Sequence, residues 1–170
     1  MSTSLNLGIL GCGDFLRWMA PDLKRSRRVR VTALFDCARE RAEHYARELG
    51  GRVAESADAV IGAHDVDAVC LFVPPWTRHQ LWLQTAAARK HILATKPLAA
   101  RADECDAMVS ASADLIAGVV YRRTGNATIE AYKRLFERGE VGALALYKQD
   151  WLHHYPQWNT WALDREKNGG

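Results

Sequence analysis

Hydrophobic and polar positions alternate in blocks along the first 120 residues, strand-like runs giving way to helix-like ones and back. Leu5 to Leu10 is a short apolar run closed by Gly11-Cys12-Gly13, and Phe15 to Leu23 then carries a helical period. Val29 to Phe35 is rich in β-branched and apolar residues and ends on Asp36. Arg39 to Leu49 sets Ala42, Tyr45, Ala46 and Leu49 on one helical face before Gly50-Gly51 stops it. Val53-Ala54 reads as a short strand and Ser56 to Ile61 as a short helix. Ala68 to Val73 is continuously apolar, the pattern of a central parallel strand covered on both faces. Thr77 to Arg89 (helix), Ile92 to Ala94 (strand), Arg101 to Ser112 (helix) and Leu115 to Val120 (strand) continue the alternation. Six strands with intervening helices predict a doubly wound α/β architecture, a parallel sheet with helices on both faces.

The pattern breaks at Tyr121. A helix over Ala127 to Arg138 places Ile129, Tyr132 and Phe136 inward, then Ala143 to Trp151 reads as one strand. Five of the 15 aromatic residues lie between Tyr147 and Trp161. A lone strand with an aromatic tail leaves backbone groups unpaired. The expectation is therefore two units: 1–121, and 122–170 as the incomplete opening of a second α/β domain.

Composition narrows the class. The chain has 170 residues, 48% hydrophobic and 25% charged, with net charge +3. That profile excludes disorder and a disulfide scaffold, and its balance argues against a nucleic-acid partner. No apolar run reaches the roughly 18–20 residues of a membrane span, and no basic-then-apolar leader opens the sequence. The cysteines at 12, 37, 70 and 105 have neither zinc-ligand nor redox spacing. Adjacent His153 and His154 would face opposite sides of a strand, so no metal site is expected. These features point to the cytoplasm.

Candidate chemistry sits where strands end. Gly11-Cys12-Gly13-Asp14-Phe15-Leu16 follows the first strand and opens the first helix, with Leu16 at the third glycine position of Gly-x-Gly-x-x-Gly. The first glycine permits the turn, the second lets backbone approach a pyrophosphate, and the helix N-terminus offers free N–H groups. Asp36, 25 residues after Gly11 and ending the second strand, suits the ribose hydroxyls of NAD. Its charge disfavours a 2′-phosphate, while Arg39 keeps NADP open; Asp36 as a helix N-cap is the structural alternative. Cys12 reads as a small residue tolerated near the pyrophosphate, with a thiol of lowered pKa at the helix N-terminus as the lesser alternative. Pro74-Pro75-Trp76-Thr77-Arg78-His79 and Thr95-Lys96-Pro97 follow the fourth and fifth strands and face the same crevice. A lysine there can donate to a substrate oxygen or take part in proton transfer.

Taken together, Gly8-Ile-Leu-Gly11-Cys12-Gly13, Asp36, the Pro-Pro-Trp-Thr-Arg-His segment and Thr95-Lys96-Pro97 resemble, in order and spacing, the Gfo/Idh/MocA family of NAD(P)-dependent oxidoreductases. Tyr121-Arg122-Arg123, Gly139-Glu-Val-Gly142 and Trp161 to Gly170 extend the resemblance to the whole chain. The resemblance implies a Rossmann domain followed by an α/β domain, and hydride transfer between nicotinamide and a hydroxyl or carbonyl carbon of a sugar or cyclitol. It implies that Lys96 reaches cofactor and substrate, that His79 lies at the cofactor, and that Arg123 lies near the substrate cleft. It also implies a homo-oligomer for the full-length protein.

Three departures stand out. Thr95 replaces the usual glutamate, Trp76 an asparagine, and nothing follows Gly170, where the family continues into a segment with an aspartate and a proton-transferring histidine. The expectation is a chain that binds the dinucleotide with negligible turnover by itself. Two alternatives stand beside it: a non-catalytic nucleotide-binding or regulatory protein associating through its aromatic tail, and an S-adenosylmethionine-dependent methyltransferase. The latter gives no reason for Lys96-Pro97.

Overall fold

The computed structural model describes residues 4–121, 127–143, 145, 146, 148, 150 and 164–168. Its elements run β1 (Leu5–Leu10), α1 (Asp14–Arg25), β2 (Val29–Phe35), α2 (Arg39–Leu49), β3 (Arg52–Val53), α3 (Ala57–Ile61), β4 (Ala68–Leu71), α4 (Pro75–Ala87), β5 (His91–Thr95), α5 (Ala102–Ala111), β6 (Ala117–Val120), α6 (Ala127–Glu137) and α7 (Arg165–Asn168). The six strands form one sheet in the order β3-β2-β1-β4-β5-β6, and every neighbouring pair is parallel. The order reverses direction between β1 and β4, which makes their carboxyl ends the switch point of a doubly wound sheet.

Strand alternation sorts the core into two layers. Leu7, Ile9, Cys70 and Phe72 join Leu16, Ala20, Ala42 and Tyr45 of α1 and α2 on one face. Leu10, Val69 and Leu71 join Val60, Ile61, Trp82, Ala86 and Met108 of α3, α4 and α5 on the other. A strand covered on both sides needs an unbroken apolar run, which is why all four residues of β4 are buried. The Trp82 indole donates to the Met108 carbonyl at 2.9 Å, tying α4 to α5 through the only polar atom of its ring.

Where expectation and structure differ, local chemistry explains it. β4 stops at Leu71 rather than Val73, and α4 starts at Pro75 rather than Thr77. Proline at the first helical position forfeits no intrahelical bond, and the ring pre-sets the backbone for a helix. Ser56 caps α3, its hydroxyl accepting from the Ala59 N–H at 3.0 Å, so this helix begins one residue later than expected. The inward placement of Ile129, Tyr132 and Phe136 is corrected: they are 43%, 61% and 44% exposed, and α6 buries no residue. The helical period does mark an apolar face, and that face stays largely exposed among the described residues. The strand expected over Ala143 to Trp151 falls largely outside the described residues; those described there are not in a strand. Arg123, His153, His154 and the aromatic tail also lie outside them.

Candidate dinucleotide site at the switch point

The β1–α1 turn is built around Gly11. Its φ of +95° is left-handed, and a Cβ placed there would stand 2.5 Å from the Phe72 carbonyl oxygen, so both backbone and space demand glycine. Gly13 is glycine for a different reason. A Cβ at this position meets nothing within 4 Å, so the space above it is open. Gly13 is also the N-cap of α1 and supplies no side-chain hydrogen bond. The amides of the first turn thus lack a side-chain cap, and the helix dipole adds partial positive charge at that end. An open cradle over an uncapped helix N-terminus fits a pyrophosphate. Asp14 and Phe15 begin this helix, and the Phe15 ring leans on Phe72 with centroids 4.8 Å apart, joining α1 to the end of β4. Leu16, at the third glycine position, is fully buried and packs in the core instead.

Asp36 closes the turn. Its Oδ2 accepts from the Cys12 N–H at 2.7 Å and its Oδ1 from the Ala38 N–H at 2.8 Å. The second bond is an Asx turn rather than a helix cap, since the N-cap of α2 is Ala38 without a side-chain bond. Each carboxylate oxygen has one protein donor and a further lone pair, the capacity two ribose hydroxyls require. Arg39 is engaged elsewhere: its Nε donates to Glu43 at 3.0 Å and its Nη1 to Glu55 at 3.1 Å. Two cations stand beside the turn instead, Arg41 of α2 and Arg17 of α1, which line a cavity of about 350 Å³ with Cys12, Gly13, Asp14 and His44. Sequence reading passed over Arg41, although it stands two residues along from Arg39 on the same helix turn. Cys12 fits the reading of a small buried residue and not that of a reactive thiol. Burial, with the nearby Asp36 charge, pushes its thiol up to about 12, overriding any lowering by the helix end.

The β4 and β5 ends form the other side. Pro74 precedes α4, Pro75 is its buried first residue, and Trp76 is 42% exposed. His79 is half-buried, and its Nε2 is buried without a partner among the described residues. An orphaned polar atom in a candidate site is consistent with a ligand that supplies the missing hydrogen bond. Lys96 is exposed immediately beyond β5, and Thr95 before it is buried. Thr95 Oγ1 accepts at 2.7 Å from Arg78, a buried guanidinium whose pKa burial pulls down to about 10. A second depression, of about 640 Å³, opens at the opposite end of the sheet around Asn6, Asp67, Lys90 and His91. Its larger volume does not make it the site. Ligands of open α/β sheets bind at the carboxyl ends of strands, and Lys90 there is occupied by the Ala63 and Val66 carbonyls at 3.0 and 2.7 Å.

The family model for oxidoreductases with an NAD-binding Rossmann fold matches residues 5–120. The chain is a Gfo/Idh/MocA oxidoreductase-family member. Its switch-point turn is accordingly that of an NAD(P)-binding Rossmann domain. Among relatives, it is 31% identical over 147 residues to a dTDP-3,4-didehydro-2,6-dideoxy-α-D-glucose 3-reductase of Streptomyces violaceoruber, covering 82% of this chain and 42% of that protein. It is 30% identical over 149 residues to an inositol 2-dehydrogenase of Ralstonia nicotianae, covering 82% and 43%. In fold, this Gfo/Idh/MocA member is similar to scyllo-inositol dehydrogenase from Lactobacillus casei, with TM-score 0.77, 20% identity and coverage of 84% and 44%. It is also similar to a 3-ketoreductase from Actinomadura kijaniata solved with NADP, with TM-score 0.75, 23% identity and coverage of 82% and 46%. The chain spans less than half the length of these relatives. Membership in the family leaves the methyltransferase reading without support. Among the described residues no helix is long and apolar enough to cross a membrane, and no group of three His, Cys, Asp or Glu is placed to hold a metal ion.

Proposed function

We propose that this Rossmann domain binds NAD(H) and serves an oxidoreductase that moves hydride between the cofactor and a hydroxyl or carbonyl carbon of a sugar or cyclitol. The observation carrying the reading is the pairing of an uncapped helix N-terminus under open space with a half-buried aspartate at the neighbouring strand end. The α1 amides bind the pyrophosphate, Gly11 sets the turn, and Asp36 accepts from the ribose hydroxyls. The Asp36 charge repels a 2′-phosphate, and Arg39 is held by Glu43 and Glu55, so NAD is preferred to NADP.

When bound, the nicotinamide supplies or accepts the hydride. Pro74 and Trp76 would flank it and shield it from water, while Pro75, whose side chain is fully buried, would only set the turn. The His79 Nε2 would hydrogen-bond the cofactor there, and the Lys96 ammonium would donate to the substrate oxygen. Arg123 completes the substrate side. The relatives named for sugar and inositol substrates support the substrate class. The second domain begins after Tyr121, and the full-length protein assembles as a homo-oligomer. Four free cysteines suit the reducing cytoplasm, the compartment we assign. By itself the 170-residue chain turns over such substrates negligibly.

The test is a fluorescence titration of the purified chain with NADH, followed by the same titration of Asp36→Ala. Saturable binding weakened about tenfold by the substitution is expected, the scale of one or two charge-assisted hydrogen bonds. Unchanged affinity would remove Asp36 from the ribose.

A further inference from the structure

Arg78 is 1% exposed. Buried cations are ordinarily paired with a carboxylate, because desolvating a charge is costly. Every recorded partner of Arg78 is neutral. Nη1 donates to the carbonyls of Thr95 at 2.8 Å, Leu98 at 3.2 Å, and Pro97. Nη2 donates to the Val73 carbonyl and to Thr95 Oγ1 at 2.7 Å, while Nε has no partner among the described residues.

The acceptors explain what the charge is for. Val73 lies just past β4, and Thr95, Pro97 and Leu98 bracket Lys96 just past β5. No hydrophobic residue can satisfy four carbonyls turned inward from two different loops. A lysine ammonium has three donors at one point, whereas the planar guanidinium spreads five over a rigid fork. The guanidinium therefore grips backbone on both sides of Lys96 and leaves the lysine itself exposed.

We propose that Arg78 is the positioning residue for Lys96, locking the Thr95–Leu98 segment to the end of β4 so that the Lys96 ammonium meets the cofactor crevice at one fixed place. The proposal rests on the place given to Lys96 under the proposed function. Arg78 touches neither cofactor nor substrate and acts only through the loop.

The experiment labels the lysines of the chain by reductive methylation with carbon-13 formaldehyde and assigns the Lys96 signal with Lys96→Arg. Held by Arg78, Lys96 gives one resonance resolved from those of exposed Lys24 and Lys133. Arg78→Met, similar in length but without donors, is expected to move that resonance into the exposed-lysine envelope while the protein still melts cooperatively. Arg78→Lys, which keeps the charge and some donors, is expected to restore it part of the way. A fold-only role for Arg78 predicts a lowered melting temperature with the Lys96 resonance in place, and that result would overturn the proposal. So would a Lys96 resonance already within the envelope in the unsubstituted chain.

Saturating NADH then separates the two claims. Displacement of the Lys96 resonance in the parent chain, at least halved in Arg78→Met, supports both. A resolved resonance that ignores bound NADH overturns the part given to Lys96, and the comparison without cofactor still judges the Arg78 lock. Should Arg78→Met fail to fold, Thr95→Val removes only the hydroxyl acceptor. A smaller displacement in the same direction supports the lock, and none overturns it.

Discussion

The two sides of the crevice are held shut by opposite charges. On the β1–β2 side a half-buried carboxylate, Asp36, gathers backbone N–H groups from Cys12 and Ala38. On the β4–β5 side a fully buried guanidinium, Arg78, gathers carbonyls from Val73, Thr95, Pro97 and Leu98. In each case one ionised side chain fastens two loops and leaves the chemically useful group free: the uncapped amides of α1, or Lys96. The difference lies in what the charge costs. Asp36 keeps part of its solvation and can accept further donors, which is what its proposed role at the ribose requires. Arg78 has surrendered its solvation and spends its donors on the protein. A loop anchor can be a binding residue only where it remains partly wet.

The sharpest way to break this comparison is at the glycines. Gly11→Ala places a methyl 2.5 Å from a backbone oxygen at φ +95°. Left-handed strain alone costs about 1–3 kcal/mol, and the clash adds to it. Expected is a loss of about 3 kcal/mol or more by urea denaturation, with NADH binding abolished. Gly13→Ala should do the reverse: stability within about 0.5 kcal/mol, because nothing lies within 4 Å of the new carbon, and NADH affinity down tenfold or more as the methyl fills the cradle. If Gly13→Ala binds NADH normally, the pyrophosphate does not lie over the α1 N-terminus.

Asp36→Ala comes next. It orphans two amides, a loss of about 1–2 kcal/mol in stability, and weakens NADH about tenfold. The two effects are separable, since chemical denaturation without cofactor reads only the first.

The turns on the β1–β2 side were legible because their geometry is written in short-range grammar. Glycines after an apolar run, then an acid closing the next strand, are spaced by the length of one strand–helix–strand unit. The six strands were legible for the same reason, as β-branched and apolar blocks between glycine and proline stops. The lock on Lys96 was not. Arg78 looks like any polar residue of a helix's first turn, and its partners lie 17 to 20 residues away on another loop, except for Val73 five residues before it. No local pattern announces which arginine turns inward. Arg39 and Arg41 show the same limit, since only geometry reveals that two glutamates hold the first while the second lines the cavity.

Cys12 tests whether the turn is as closed as the Asp36 bonds imply. A thiol raised from 9.0 to about 12 carries no thiolate at pH 8, so Cys37, which is exposed, should react first with a thiol reagent and Cys12 only on unfolding. The sign of the pH effect follows. Between about 9 and 12 the unfolded chain has lost the proton that the native thiol keeps, so stability falls as pH rises through this window. A denaturation series from pH 8 to 10.5 checks it, and Cys12→Ser should reduce the slope only in part, because burial pushes the Cys70 thiol up to about 12 as well. Rapid labelling of Cys12 in the native protein would mean the turn opens readily and the carboxylate side is the looser of the two.

The smallest effects belong to the arginines beside the ribose end. Arg39→Ala removes exposed pairs to Glu43 and Glu55, and such surface pairs contribute about 0–1 kcal/mol. Stability should move by less than about 0.5 kcal/mol, and affinity for NADH and NADPH alike should hold. Arg41→Ala should likewise leave NADH binding intact, because a 2′-hydroxyl needs no cation, but weaken NADPH several-fold by removing a positive charge from the cavity beside the turn. Titrating both coenzymes against both variants gives four affinities, of which only one is expected to change. If NADPH instead follows Arg39, that guanidinium leaves its glutamates when a phosphate arrives. The carboxylate side would then be the adaptable half of the crevice and the guanidinium side the rigid one.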